Sequence, residues 1–163
     1  MADRRLTRSL LLCLLTGAFG CGAKDAPPPA AADASAPTAA GSDLTPFQLE
    51  HGIGPVTEAI VLGPVSHELA EAGEKLFTTK CSACHKMVDK YVGPPLGEVT
   101  TRRSPAFIMN QVLNPEGMYT RHPVVKQLLG EYMTQMPNQG LTQEEARKVL
   151  EYLRTQSHPT GST

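Results

Sequence analysis

Apolar positions recur at helical spacing in several stretches of this chain, and no stretch carries a convincing strand alternation. Leu69, Ala72, Gly73, Leu76 and Phe77 fall three and four residues apart. That spacing predicts a helix from about His67 to Thr79, with Ser66 as N-cap and acidic residues in the first turn. Ser104-Pro105 opens a second helix with proline at its first position, and Phe107, Ile108, Val112 and Leu113 line one side. Asn114-Pro115 is expected to stop it. Pro123 to Met133 reads as a third, shorter helix. Thr142-Gln143-Glu144-Glu145 is a capping box that opens a helix to about Gln156, with Ala146, Val149, Leu150 and Leu153 as its apolar stripe. The expected fold class is all-α.

The chain ahead of these helices has a different character. Arg4, Arg5 and Arg8 precede the apolar run from Ser9 to Phe19. Residues 1–20 therefore read as an export signal, too short to span a bilayer. Ala18-Phe19-Gly20-Cys21 allows two readings. One is cleavage after Gly20, releasing a soluble protein with a free thiol. The other is a lipoprotein-type signal in which Cys21 is the lipidated first residue. The second is favoured, because a lone cysteine at a cleavage site in an exported chain needs a use. Residues 21–46 are rich in Ala and Pro, as in Pro27-Pro28-Pro29, and read as a flexible tether. Residues 47–65 mix apolar residues with Gly and Pro and read as an extended lead-in arm. His51 in this arm is expected to face solvent. The folded domain is expected over residues 66–158, with 159–163 a disordered tail.

Composition sharpens the question of what fills the core. Of 163 residues, 40% are hydrophobic and only 5% aromatic, with no Trp. That is thin for a core made of side chains alone. The formal net charge of −1 argues against a nucleic-acid-binding surface, which would be basic.

Cys81-Ser82-Ala83-Cys84-His85 is the c-type haem attachment sequence. Two thiols at the end of a helix can reach the two vinyl groups of one macrocycle, and His85 then lies under the iron. A thioredoxin-like redox pair would lack its βαβ context. A zinc site would want two further Cys or His at matching spacing. A disulfide leaves His85 unexplained. The cofactor implied is one covalently attached haem c with its iron. A sixth ligand is then sought among the methionines. Met87 is too close to His85, and Met109 falls inside a helix. Met136 precedes Pro137 in a stiff loop before the last helix and is the leading candidate, with Met118 and Met133 as alternatives.

These features resemble a class I (mitochondrial-like) monohaem cytochrome c over about residues 66–156. The likeness rests on three blocks: the helix with Gly73 and Leu76-Phe77 leading into the Cys81–His85 motif, then Val92-Gly93-Pro94-Pro95-Leu96-Gly97, then Met136-Pro137 with the final helix and Leu150-Glu151-Tyr152-Leu153. The resemblance implies a small helical domain wrapped around one haem c. It implies that the Pro94 carbonyl holds the free ring nitrogen of His85, and that the first and last helices cross at Gly73 beside Phe77 and Tyr152. It also implies an aromatic residue, often Trp, near the propionates. Phe107 or Tyr119 could stand in for it, and Arg102 or Arg103 could pair with a propionate.

The function expected is single-electron transfer in a bacterial respiratory chain. The carrier would be periplasmic and held at the membrane by a lipid on Cys21. Its partners would be redox proteins, with a terminal reductase or oxidase among the candidates, and no nucleic acid. Two other readings stay open: a docked haem subunit of a larger oxidoreductase, and a peroxidase-like or gas-binding site with His122 or His51 on the distal side.

Overall fold

The computed structural model describes residues 43–157, and these form seven helices with no strands among them. The signal segment, Cys21, most of the tether and the 159–163 tail lie outside the described residues.

The first helix, α1 (Pro46–His51), departs from the extended arm expected there. Its start is written locally. Thr45 caps the Gln48 amide, the Gln48 side chain returns to Thr45 N–H at 3.0 Å, and Pro46 holds the first position. Leu44, expected in the tether, is buried. The rest of the arm, 52–66, has no regular structure. Then α2 (His67–Lys80) starts at Ser66 as expected. A single turn, α3 (Val99–Arg102), precedes α4 (Pro105–Leu113), which Ser104 caps.

Asn114-Pro115 does stop α4, but it also starts α5 (Pro115–Arg121), a helix that the apolar spacing does not announce. The Asn114 side chain accepts from Gly117 N–H at 3.3 Å, and Pro115 sits at the first position. The dipeptide that ends one helix is equally a start signal for the next. His122-Pro123 repeats the device and opens α6 (Pro123–Tyr132). The capping box at Thr142 opens α7 (Gln143–Gln156) with both reciprocal bonds made.

The main core lies between α2, α4 and α7. Phe77, Ile108, Met109, Val112, Val149, Leu150 and Leu153 form one buried cluster. Each such side chain stabilises the fold by about 1.5–3 kcal/mol. The crossing of α2 and α7 depends on Gly73. A Cβ at that position would lie 1.9 Å from the Lys148 carbonyl oxygen, so the two backbones meet with no room for a side chain. Beside the crossing, the Phe77 and Tyr152 rings pack at 5.3 Å. Glu151 on α7 is fully buried and paired with Arg147 at 2.6 Å and Arg154 at 2.8 Å. It also accepts from Ser66 N–H, while Arg154 donates to the Gly63 carbonyl. This network ties the arm and the start of α2 to the last helix.

A second cluster holds the N-terminal arm. Leu44 and Ile53 pack with Phe107, Met118 and Val125. The arm's backbone is held by four side chains spaced four residues apart, Asn110, Asn114, Met118 and His122. Asn110 donates to the His51 and Val56 carbonyls at 3.0 and 2.9 Å and accepts from Val56 N–H at 3.0 Å. Asn114 donates to the Ile53 carbonyl, and the Met118 sulfur accepts from Ile53 N–H, both at 3.0 Å. His122 Nε2 donates to the Leu49 carbonyl at 3.1 Å. The arm is therefore a strap whose polar backbone is paired by the helices beneath it. Gly52, at φ 81°, makes the turn out of α1, where a Cβ would meet Met118 Cε at 2.8 Å.

Candidate functional site

The site starts where α2 ends. Cys81 and Ser82 N–H both bond back to the Phe77 carbonyl, and Cys84 and His85 N–H both bond to the Cys81 carbonyl. This tight helical turn places both thiols and the imidazole at the helix terminus. Neither cysteine is in a disulfide. Burial pushes the Cys81 thiol up, and neighbouring Cys84 adds to the effect.

The chain then folds back beneath His85. Gly93 N–H bonds to the Cys84 carbonyl, Leu96 N–H to Lys86, and Gly97 N–H to Met87. A Cβ on Gly93 would sit 2.5 Å from His85 Cε1, so glycine lets the backbone pass flat against the ring. That passage brings the Pro94 carbonyl to 2.9 Å from His85 Nδ1. A carbonyl only accepts, so Nδ1 carries the hydrogen and Nε2 keeps its lone pair. Burial holds the ring below the ordinary histidine value, with the Pro94 bond partly offsetting it. A neutral imidazole with a free nitrogen is the form that binds a metal.

Opposite this turn lies the loop after α6. Met133 caps α6 in the left-handed region at φ 51° and turns its side chain to solvent, 83% exposed. Met118 is fully buried with its sulfur already accepting from Ile53 N–H. Met109 is buried in the core, as expected from its helix. Met136 differs from all three. It is half-buried and lines a cavity of about 250 Å³ that Cys81, Cys84, His85, Pro94 and Gln111 also line.

The remaining wall is largely apolar, with Phe77, Ile108, Val112, Val149 and Leu153 among its residues. Phe107 and Tyr119 line it too, as do Arg102 and Arg103. Arg102 donates to the Pro95 carbonyl at 3.1 Å, and Arg103 lies over the Phe107 ring at 5.3 Å. The two histidines weighed for a distal role are elsewhere. His51 bonds to Ser104 Oγ at 2.8 Å and His122 is buried under the arm, and neither lines the cavity. Burial pushes His122 below the ordinary value, with the Leu49 bond opposing, so it holds the arm as a neutral ring.

Sequence reasoning passes over Gln111. Its Nε2 donates toward Met136 Sδ at 3.5 Å, and its Oε1 is buried without a partner. The signal available is a lone polar residue on a helix face otherwise occupied by Phe107, Ile108 and Val112.

An apolar cavity with two thiols, a tautomerically fixed imidazole and a thioether facing it defines a haem-binding helical domain. Known proteins carry this further. A cytochrome c family model matches residues 70–157, more than half of the chain, and the chain belongs to that family. Among solved structures, cytochrome c from Rhodothermus marinus is 47% identical, covering 69% of this chain and 97% of that one with a TM-score of 0.65. An engineered form of that protein bound to a carbene intermediate is 46% identical, with a TM-score of 0.62 over 69% of this chain and 98% of its own. A cytochrome c-553-like protein of Synechocystis sp. is 39% identical over 46 residues, which span 28% of this chain and 44% of that protein. The protein is a class I monohaem c-type cytochrome: it carries covalently attached haem c and is a haem-based electron carrier. The cavity residues fit that group. No helix among the described residues is long and apolar enough to cross a membrane.

Proposed function

We propose that this protein is a periplasmic single-electron carrier of a bacterial respiratory chain, using a haem c ligated by His85 and Met136. Cys81 and Cys84 are the attachment thiols. The observation that carries the reading is that one cavity receives Met136 from its loop and His85 from the end of α2. Bound haem supplies a one-electron iron couple whose potential a thioether ligand raises.

The chain's own part is positional. The Pro94 carbonyl keeps the hydrogen on His85 Nδ1, so the other nitrogen stays available in one ring orientation. Gly93 makes that approach sterically allowed. Pro137 stiffens the loop that carries Met136, so holding the sulfur in place costs little entropy. His85 and Met136 would hold the group from the two walls of the cavity, so little would rearrange when its charge changes and no position would be left open to a substrate. This favours a carrier over a peroxidase-like or gas-binding role. Arg102 and Arg103 are the cavity's guanidinium groups and suit the propionates, with Phe107 and Tyr119 as the neighbouring aromatic residues.

Outside the described residues, the basic and apolar start of the chain and Cys21 support export and a lipid anchor. One acyl chain anchors marginally, and stable attachment takes more than one. The Ala/Pro-rich stretch then supplies reach toward redox partners such as a terminal reductase or oxidase.

The oxidised protein is expected to show a sulfur-to-iron charge-transfer band that vanishes in Met136→Ala. Persistence of the band in that variant rules out Met136 as the sixth ligand.

A further inference from the structure

His122 is a fully buried titratable group that the haem cavity does not use. Its ring stands edge-to-face against Phe107 at 5.1 Å. Its Nε2 donates to the Leu49 carbonyl of α1 at 3.1 Å, and its Nδ1 is buried with no partner. A glutamine would serve that carbonyl without leaving a ring nitrogen orphaned. In the neutral ring the orphan is an acceptor. Protonation turns it into a second N–H, buried and with nothing to accept it.

The surroundings offer the charge no compensation. Arg103, ahead of α4, opposes it. Arg121 on α5 and Lys126 on α6 are exposed and carry the same sign. Glu50 of α1 is directed to His51, 3.8 Å away. The end of α5 and the start of α6 meet at His122 and act on a charge there in opposite senses. The arm's other holders are indifferent to acid. Asn110, Asn114 and Met118 do not titrate. His51 is bonded to the Ser104 hydroxyl at 2.8 Å, which donates or accepts and so serves either form of that ring.

We propose that His122 is an acid-sensitive latch for α1: the neutral ring holds this end of the arm, and protonation releases it while Asn110 keeps the rest in place. Burial, with Arg103, holds the latched ring below its ordinary value of 6.5, against the opposing bonds to the Leu49 and Gln48 backbone. The released form therefore binds a proton that the latched form excludes. Latching is complete above about 6.5 and weakens as pH falls below it, with the opening equilibrium rising by up to tenfold per pH unit until the latched ring's own value is reached. Release reaches the haem cavity, because Leu44 at this end packs in one cluster with Phe107, which lines it.

The test is amide exchange of the haem-loaded full chain, followed residue by residue from neutral to acid pH. Leu49 and Gly52 N–H bond to the Thr45 and Gln48 carbonyls and report α1, while Val56 N–H bonds to Asn110 and reports the rest of the arm. Taking the ratio of the first two rates to that of Val56 cancels the intrinsic pH dependence of exchange. This ratio is expected to rise by up to tenfold per pH unit below about 6.5, and to stay flat in His122→Gln, which donates to Leu49 without charging. A flat ratio in the wild-type protein, or the same rise in His122→Gln, overturns the inference. So does parallel acceleration of all three amides, which is acid unfolding of the whole domain. NMR titration of the His122 ring in the reduced protein needs no variant. Its midpoint is expected below 6.5, and a midpoint at or above that value overturns the latch.

Discussion

Replacing Asn110 by Ala should detach the N-terminal arm. Asn110 is fully buried and makes three hydrogen bonds to the arm: two donated to the His51 and Val56 carbonyls and one accepted from Val56 N–H. Each is worth about 1 kcal/mol net, so the loss comes to about 3 kcal/mol before cavity effects. Val56 is itself buried at 5% exposure, so its N–H and carbonyl are stranded away from water and add to the cost. Gly54 passes so close that a Cβ there would meet Asn110 Oδ1 at 2.3 Å, which leaves the arm no easy route to a new partner. Two assays read this. Urea unfolding of the haem-loaded protein should show the global loss without a large change in slope. Amide exchange should show Val56 exchanging about 100-fold faster, the equivalent of about 3 kcal/mol at 1.4 kcal/mol per decade. Asn110→Asp should lose at least as much, because it keeps the acceptor for Val56 N–H but sets a buried carboxylate oxygen against the His51 and Val56 carbonyl oxygens. A loss under about 1 kcal/mol with Val56 protection unchanged would refute the reasoning, since the arm would then be held by its apolar contacts alone.

Two further outcomes are expected. Burial pushes the Glu151 carboxyl up, but hydrogen bonds from Arg147 and Arg154 outweigh it and hold the group below its ordinary value of 4.5. A depressed carboxyl contributes stability that is present above about 4.5 and lost as pH falls through the folded value. Urea unfolding from neutral to acid pH should therefore show stability declining below that point, with a shallower decline in Glu151→Gln, and equal slopes in the two proteins would contradict the assignment. Cell fractionation should find the wild-type chain with membranes and Cys21→Ser released in soluble form. Equal membrane association of both would remove the lipid anchor from the proposed function.

Several elements can be read from the chain because their causes are local. The capping box at Thr142 and the caps at Ser66 and Ser104 each depend on a side chain meeting an amide three residues away. The Cys81–His85 motif is likewise a contiguous chemical unit. Helix α1 escapes a reading by periodicity although its Thr45–Gln48 box is local, because it straddles the junction between a Pro-rich stretch and an arm with no sustained period. Helix α5 escapes it because Asn114-Pro115 is a stop signal for the helix before it. The arm's ladder of Asn110, Asn114, Met118 and His122 is invisible in the chain for a different reason. Its partners are backbone groups 54 to 73 residues away, and backbone groups leave no mark on residue identity.

The sequence by itself determined the helical class, the cofactor and the Cys81–His85 motif. Each of these is set by neighbours in the chain or by a motif whose spacing is itself the chemistry. Met136 led Met118 and Met133 in the sequence through its place before Pro137, and the tertiary structure supplied the surroundings that set the three apart. All three lie near turns in the sequence, but one sulfur is occupied by an arm amide, one side chain is turned out by a left-handed cap, and one faces the cavity. It alone brought Gln111 to that sulfur. A thioether's role depends on what surrounds it in space, and helix packing sets those surroundings across long stretches of chain.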